Sequence, residues 1–168
     1  HGDDEGAEEP VRHIDVGGGA LDQGAEEDNG IAHPDHGDGD VNGDGLKDVF
    51  IGGAQGFIGR LMLQKPDGRF VDSPQTAFAP DSMCEDQGAL FFDADSDGDL
   101  DLFVANGHVD DQPWANSPMA QLPLFYRGKG AGRFERLGPE AGGYLTVPRV
   151  GRGVAAGDLD NDGRLDLV

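Results

Sequence analysis

Basic residues are scarce in this chain: twelve Lys and Arg stand against 33 Asp and Glu, a formal net charge of −21. A surface of that sign repels polyanions, which excludes nucleic acid and anionic membrane as partners held by general electrostatics. Cysteine is reduced to Cys84, so no internal disulfide can form. With acids beside it in Ser82-Met83-Cys84-Glu85-Asp86, the thiol is expected to act as a small buried hydrophobe rather than a nucleophile. No apolar run reaches the ~18 residues of a membrane-spanning helix, and no basic-then-apolar leader opens the chain. The chain starts at His1 and stops at Asp166-Leu167-Val168, where a strand is expected, so it reads as a piece of a longer protein. Helical periodicity is also missing throughout, which leaves short strands and turns.

What the chain has is an acidic pattern, Asp-x-[Asp/Asn]-x-Asp-Gly-x-x-Asp, in three copies. They span Asp40 to Asp48, Asp93 to Asp101 and Asp158 to Asp166, and each runs into an apolar strand. Packing four or five carboxylates into one turn costs several kcal/mol of repulsion, roughly, unless a cation offsets it. Calcium takes six to eight oxygens from carboxylates, carbonyls and water at flexible geometry. Positions 1, 3, 5 and 9 then supply side-chain oxygens and position 7 its carbonyl, while the glycine at position 6 allows a positive φ. The candidate ligands are Asp40, Asn42, Asp44, Leu46 (carbonyl) and Asp48; Asp93, Asp95, Asp97, Asp99 (carbonyl) and Asp101; and Asp158, Asp160, Asp162, Arg164 (carbonyl) and Asp166. This makes up to three Ca2+ sites. Acidic surface turns without an ion are the alternative, since Asp and Gly favour turns. An EF-hand is excluded, because it needs a Glu at position 12 and flanking helices, whereas position 12 is Ile51 in the first copy and Val104 in the second.

The chain aligns with itself from residue 40 onward. Acidic loop, strand, loop, strand, Gly-Arg-Phe turn and strand follow in the same order twice, and a third copy begins. Loop starts at 40, 93 and 158 give repeats of 53 and 65 residues, and nearly all the excess falls in a polar insertion, His108–Met119. A shared ruler with one insertion is the mark of stacked or radial repeats. Apolar lead-in strands precede loops two and three (Gly88–Phe92 and Gly153–Gly157). Before loop one the sequence reads Asp35-His36-Gly37-Asp38-Gly39, so that copy is expected to lack its lead-in strand. Residues 1–37 form an acidic, Gly-rich segment expected to be weakly ordered, and 38–168 hold about two repeats and the start of a third. Four short strands per unit suit the blades of a propeller, an all-β fold.

These residues resemble the FG-GAP/VCBS repeats of integrin-α-like β-propellers, whose blades carry calcium loops between two strands. More narrowly, Gly43–Gly53, Glu85–Asp93 and Val150–Asp158 resemble bacterial secreted proteins related to cartilage acidic protein, often carrying an ASPIC/UnbV domain. The resemblance covers about residues 38–168 and implies a partial β-propeller of four-stranded blades from a secreted or cell-surface protein. It also implies a role in extracellular adhesion or recognition, with an extracellular protein or glycan as partner. Blades are expected to be completed by the rest of the parent chain or by neighbouring subunits, since open edges invite pairing.

Catalytic signatures are absent from the pattern. His1, His13, His33, His36 and His108 are expected at the surface without a ligand role, and Trp114 is expected to anchor the insertion. No Ser/His/Asp or Cys/His arrangement has motif context, and Gly17-Gly18-Gly19 lacks the strand, helix and Lys of a phosphate loop. The reading is a non-catalytic calcium-binding propeller fragment. A propeller scaffold of a polysaccharide-acting enzyme and a self-assembling surface protein are the other classes.

Overall fold

The structure, a computed structural model, describes residues 37–108 and 118–168. The expectations for the acidic segment up to residue 36, for His1, His13, His33 and His36, and for Trp114 lie outside the described residues. Within them the chain forms β1 (Gly37–Gly39), β2 (Asp48–Ile51), β3 (Arg60–Gln64), β4 (Phe70–Ser73), β5 (Asp86–Phe92), β6 (Asp101–Asn106), β7 (Leu124–Gly128), β8 (Phe134–Leu137), β9 (Ala156–Gly157) and β10 (Asp166–Leu167). The described helical pieces are 3-10 turns at Thr76–Asp81, Pro139–Ala141 and Gly143–Thr146.

Strands β1 to β4 make one antiparallel sheet in chain order, β5 to β8 make a second, and β9 with β10 opens a third. The registers of the two complete sheets correspond: Phe50 faces Leu61 as Phe103 faces Phe125, and Met62 faces Asp72 as Tyr126 faces Arg136. The expected strand order is therefore realised, and the stacked four-stranded units form a partial β-propeller.

Alternation along the strands decides where the core sits. Phe50 and Leu61 of the first sheet meet Phe91, Leu102, Val104, Leu124 and Tyr126 of the second. The other face of the second sheet, with Leu90, Phe103, Ala105 and Phe125, packs on Ala141, Leu145 and Val154. Phe78, from the 3-10 turn between the sheets, fills the first seam edge-on to Phe50 at 5.5 Å and to Tyr126 at 4.7 Å between ring centroids. The Tyr126 hydroxyl and the Arg136 Nε both donate to Asp81 Oδ2, at 2.8 and 2.7 Å. Cys84 packs partly buried against this core, and burial, with the charges of Asp81 and Asp86, pushes its thiol up to about 11. The thiol is thus held protonated, as expected.

The sequence expectation fails at two places. The first repeat does have a lead-in strand: β1 pairs with β2 through Gly37, Asp38 and Gly39. Its glycine has a packing reason, since a Cβ on Gly39 would stand 2.7 Å from Leu100 Cδ1 and 3.3 Å from Phe91 Cβ. An apolar side chain is missing there because the next blade occupies its space. The second correction is His108, which is not at the surface. It is 4% exposed, its Nδ1 pairs with Glu85 Oε2, and its Nε2 is buried with no hydrogen-bond partner among the described residues.

Candidate metal centre

All three acidic loops fold on one hydrogen-bond frame. The position-1 carboxylate curls the loop around itself. Asp40 accepts from the N–H groups of Gly43 (2.8 Å), Asp44 (3.0 Å) and Gly45 (2.7 Å). Asp93 accepts from Asp97 and Gly98 at 3.2 and 3.0 Å, and Asp158 from Asp162 and Gly163 at 3.1 and 3.0 Å. The position-5 side chain holds the position-7 amide, as Asp44 to Leu46, Asp97 to Asp99 and Asp162 to Arg164, each at 2.9 Å. These are Asx-type turns, the local bonding that Asp and Asn favour.

The backbone reaches this shape through two left-handed residues per loop. Position 6 is Gly45, Gly98 and Gly163, at φ of 82°, 90° and 84°. Position 4 is also left-handed, in Gly43 (74°), Ser96 (60°) and Asn161 (60°). A non-glycine residue in that region is uncommon, with Asn among those enriched there.

The position-9 carboxylate closes the loop from inside. Asp48, Asp101 and Asp166 are 0%, 2% and 4% exposed. Asp48 accepts from Val41 N–H at 3.1 Å and from Gln64 N–H at 2.9 Å. Asp101 accepts from Ala94 at 2.9 Å and Gly128 at 2.7 Å, and Asp166 from Leu159 at 3.0 Å. Burial pushes the Asp101 carboxyl up to about 6, against its two N–H bonds and with help from the charges of Asp95 and Asp93. The Asp48 carboxyl is raised for the same first reason. A buried carboxylate among like charges is stabilised by a cation beside it.

The frame brings together Asp93, Asp95 and Asp101, with one oxygen from each within 4.8 Å of the others, and likewise Asp158, Asp160 and Asp166. In the second loop Asp95 Oδ1 is buried with no hydrogen-bond partner, while Oδ2 lies 3.4 Å from Arg127 Nε. An acceptor left unsatisfied in a carboxylate cluster is what a hard cation completes, and the all-oxygen donor set suits calcium. The position-5 acids Asp97 and Asp162 stand outside the two triads, and Asp162 holds the Arg164 guanidinium at 2.5 Å. The first loop has Asn42 at position 3, with its Nδ2 donating to Asp44 Oδ2 at 3.1 Å. It shares the frame with one carboxylate fewer.

Sequence reasoning missed three participants. They are the left-handed position 4 and the third-strand amides of Gln64 and Gly128. Position 4 had a faint signal in its Gly, Ser and Asn, all turn formers. The amides had none, because they lie 16 and 27 residues from the acids they satisfy.

Comparison with known proteins found no match among curated proteins or among solved structures. A family model, the FG-GAP-like repeat, matches twice, over residues 40–104 and 105–168. Each matched unit ends just after an acidic loop has passed into its strand, at β6 and at β10. Repeats of this kind are typical of extracellular proteins, and among the described residues no helix is long and apolar enough to cross a membrane. With those two matches covering most of its length, the chain belongs to the FG-GAP-like repeat family.

Proposed function

We propose that this chain is the calcium-binding, non-catalytic part of a β-propeller from a secreted or cell-surface protein. It acts in extracellular recognition, adhesion or scaffolding. The observation that carries the reading is the second loop, where three carboxylates converge and Asp95 Oδ1 is buried without a partner. Asp93, Asp95, Asp97, Asp101 and the Asp99 carbonyl hold the ion there. Asp158, Asp160, Asp162, Asp166 and the Arg164 carbonyl hold it in the third loop, and Asp40, Asn42, Asp44, Asp48 and the Leu46 carbonyl in the first. Bound calcium supplies countercharge to buried acids at the junctions between strands, so its binding free energy becomes folding free energy.

The partner in this reading is an extracellular protein or glycan that meets the loop faces. The integrin-like propeller and the kinship with bacterial ASPIC/UnbV proteins belong to the same reading and rest on the motifs at Gly43–Gly53, Glu85–Asp93 and Val150–Asp158. Calorimetric titration of chelator-stripped protein, with melts in calcium and in excess chelator, tests it. Saturable heat and a melting temperature many degrees higher in calcium are expected. Identical melts in the two buffers overturn the reading.

A further inference from the structure

We propose that Gly128, the last residue of β7, is a positioning residue of the second cation site although it offers no ligand atom. The inference rests on the calcium reading above. Gly128 is buried, and its N–H donates to Asp101 Oδ1 at 2.7 Å. Asp101 is the innermost acid of the second loop, and its other oxygen is held by Ala94 N–H. The carboxylate is thus stretched between the start of its own loop and the end of the third strand of the blade.

Packing ties the same two pieces together independently. A Cβ on Gly128 would stand 2.5 Å from the Leu100 carbonyl oxygen, 3.1 Å from its carbon and 3.2 Å from Asp99 Cβ. Two residues on, a Cβ at Gly130 would stand 3.2 and 3.3 Å from the Asp99 carboxylate oxygens. The turn carrying the Asp99 carbonyl therefore lies directly on the end of β7. Gly128 does not have a left-handed φ, so what demands glycine there is the loop itself. The first blade makes the corresponding amide bond from Gln64, a residue with a side chain.

Two consequences follow for ligation. A side chain at 128 displaces the Leu100–Asp101 peptide, and Asp99 with it, by several tenths of an ångström, and cation affinity falls though every ligand is retained. Conversely, an ion that fixes the loop fixes Asp101 and through it the Gly128 amide, so occupancy is felt in the third strand.

The test is calcium titration of the isotope-labelled protein by NMR, following the Gly98 amide for the second loop and the Gly163 amide for the third. Gly128→Ala is expected to weaken binding reported by Gly98 by about tenfold or more while Gly163 titrates within twofold of the unmutated protein. Equal affinities at Gly98 in the two proteins overturn the inference. If Gly128→Ala does not fold, amide exchange in the unmutated protein decides. Calcium slows exchange at Gly128 in parallel with saturation of Gly98, and exchange at Gly128 indifferent to calcium while Gly98 saturates overturns the inference. Absence of any calcium response at Gly98 and Gly163 overturns the calcium reading itself, and this inference with it.

Discussion

The first and second repeats share a strand order, a register and a loop frame, yet differ where charge is concerned. Position 3 is Asn42 in one and Asp95 in the other, and the lead-in strand is Gly37–Gly39 in one and Asp86–Phe92 in the other. The frame survives both changes. Asp40 still gathers three amides and Asp48 still ties the loop to β3, as Asp101 ties its loop to β7. Loop shape is therefore set mainly by positions 1, 5 and 9 and by two left-handed residues, while position 3 adds a bond to the position-5 amide in the first and third loops and sets how many carboxylates the loop carries. The seams differ as well. The second sheet has apolar residues buried on both faces, whereas Ile51 and Phe70 on the outer face of the first are 52% and 45% exposed.

If the proposed calcium sites are filled, removing the ion should strike both repeats at once, and this is the largest expected effect. A site held at a thousand times its dissociation constant contributes about 4 kcal/mol, so excess chelator is expected to lower the melting temperature by many degrees. Differential scanning calorimetry checks it. Next in size is the seam itself. Phe78→Ala removes the ring between Phe50 and Tyr126 and is expected to cost about 3–5 kcal/mol in denaturant unfolding. A loss under 1 kcal/mol would mean that the sheets do not depend on this wedge.

A third test concerns the clamp between the repeats, where Gly53 N–H donates to Asp86 Oδ2 at 2.6 Å and Asp86 N–H to the Gly53 carbonyl at 3.0 Å. Glycines fit the carboxylate closely: a Cβ on Gly52 would lie 2.8 Å from Asp86 Cβ. Burial pushes the Asp86 carboxyl up to about 6, opposed by the Gly53 bond and assisted by the Asp81 charge. The folded state then holds this proton more tightly than the unfolded chain does. Its stabilisation is complete below the ordinary carboxylate range and is lost as pH rises from about 4 through about 6, roughly 3 kcal/mol in all. Asp86→Asn keeps an acceptor without the charge. The stability difference between the two proteins should change over that interval and be level above pH 7, and a constant difference from pH 4 to 7 breaks the assignment.

The smallest effect sharpens the comparison most directly. Asn42→Asp gives the first loop the carboxylate of its neighbours and is expected to raise its calcium affinity several-fold, roughly 1 kcal/mol, with little change to the chelated protein. The Gly45 amide reports it in the same NMR titration.

How far the sequence revealed these features depends on the range of the interaction. The three acidic loops, the strand order and the left-handed position 6 were legible, because Asp spacing and glycine act within a few residues. The 108–119 insertion was legible from repeat arithmetic, but the burial of its first residue, His108, was not, since Glu85 lies in a different part of the chain. Gly37–Gly39 looked like a lost strand because the reason for its glycine stands in the next blade, at Phe91 and Leu100. Phe78 sits in a 3-10 turn with neither a strand nor a helix period, so its place in the core had no pattern to announce it.

The bond from Gly43 N–H to Asp40 Oδ1 bears on the chemical ageing of the protein. Asparagine followed by glycine loses its side-chain amide when the glycine nitrogen attacks it and closes a five-membered ring. In the folded first loop that nitrogen is engaged by Asp40, and the Asn42 side chain is held at both ends by Asp44. The loop is thus its own protection. Time spent unfolded converts position 42 irreversibly to an acid or its iso-aspartyl isomer, so the charge of this cage records how long the first repeat has been open.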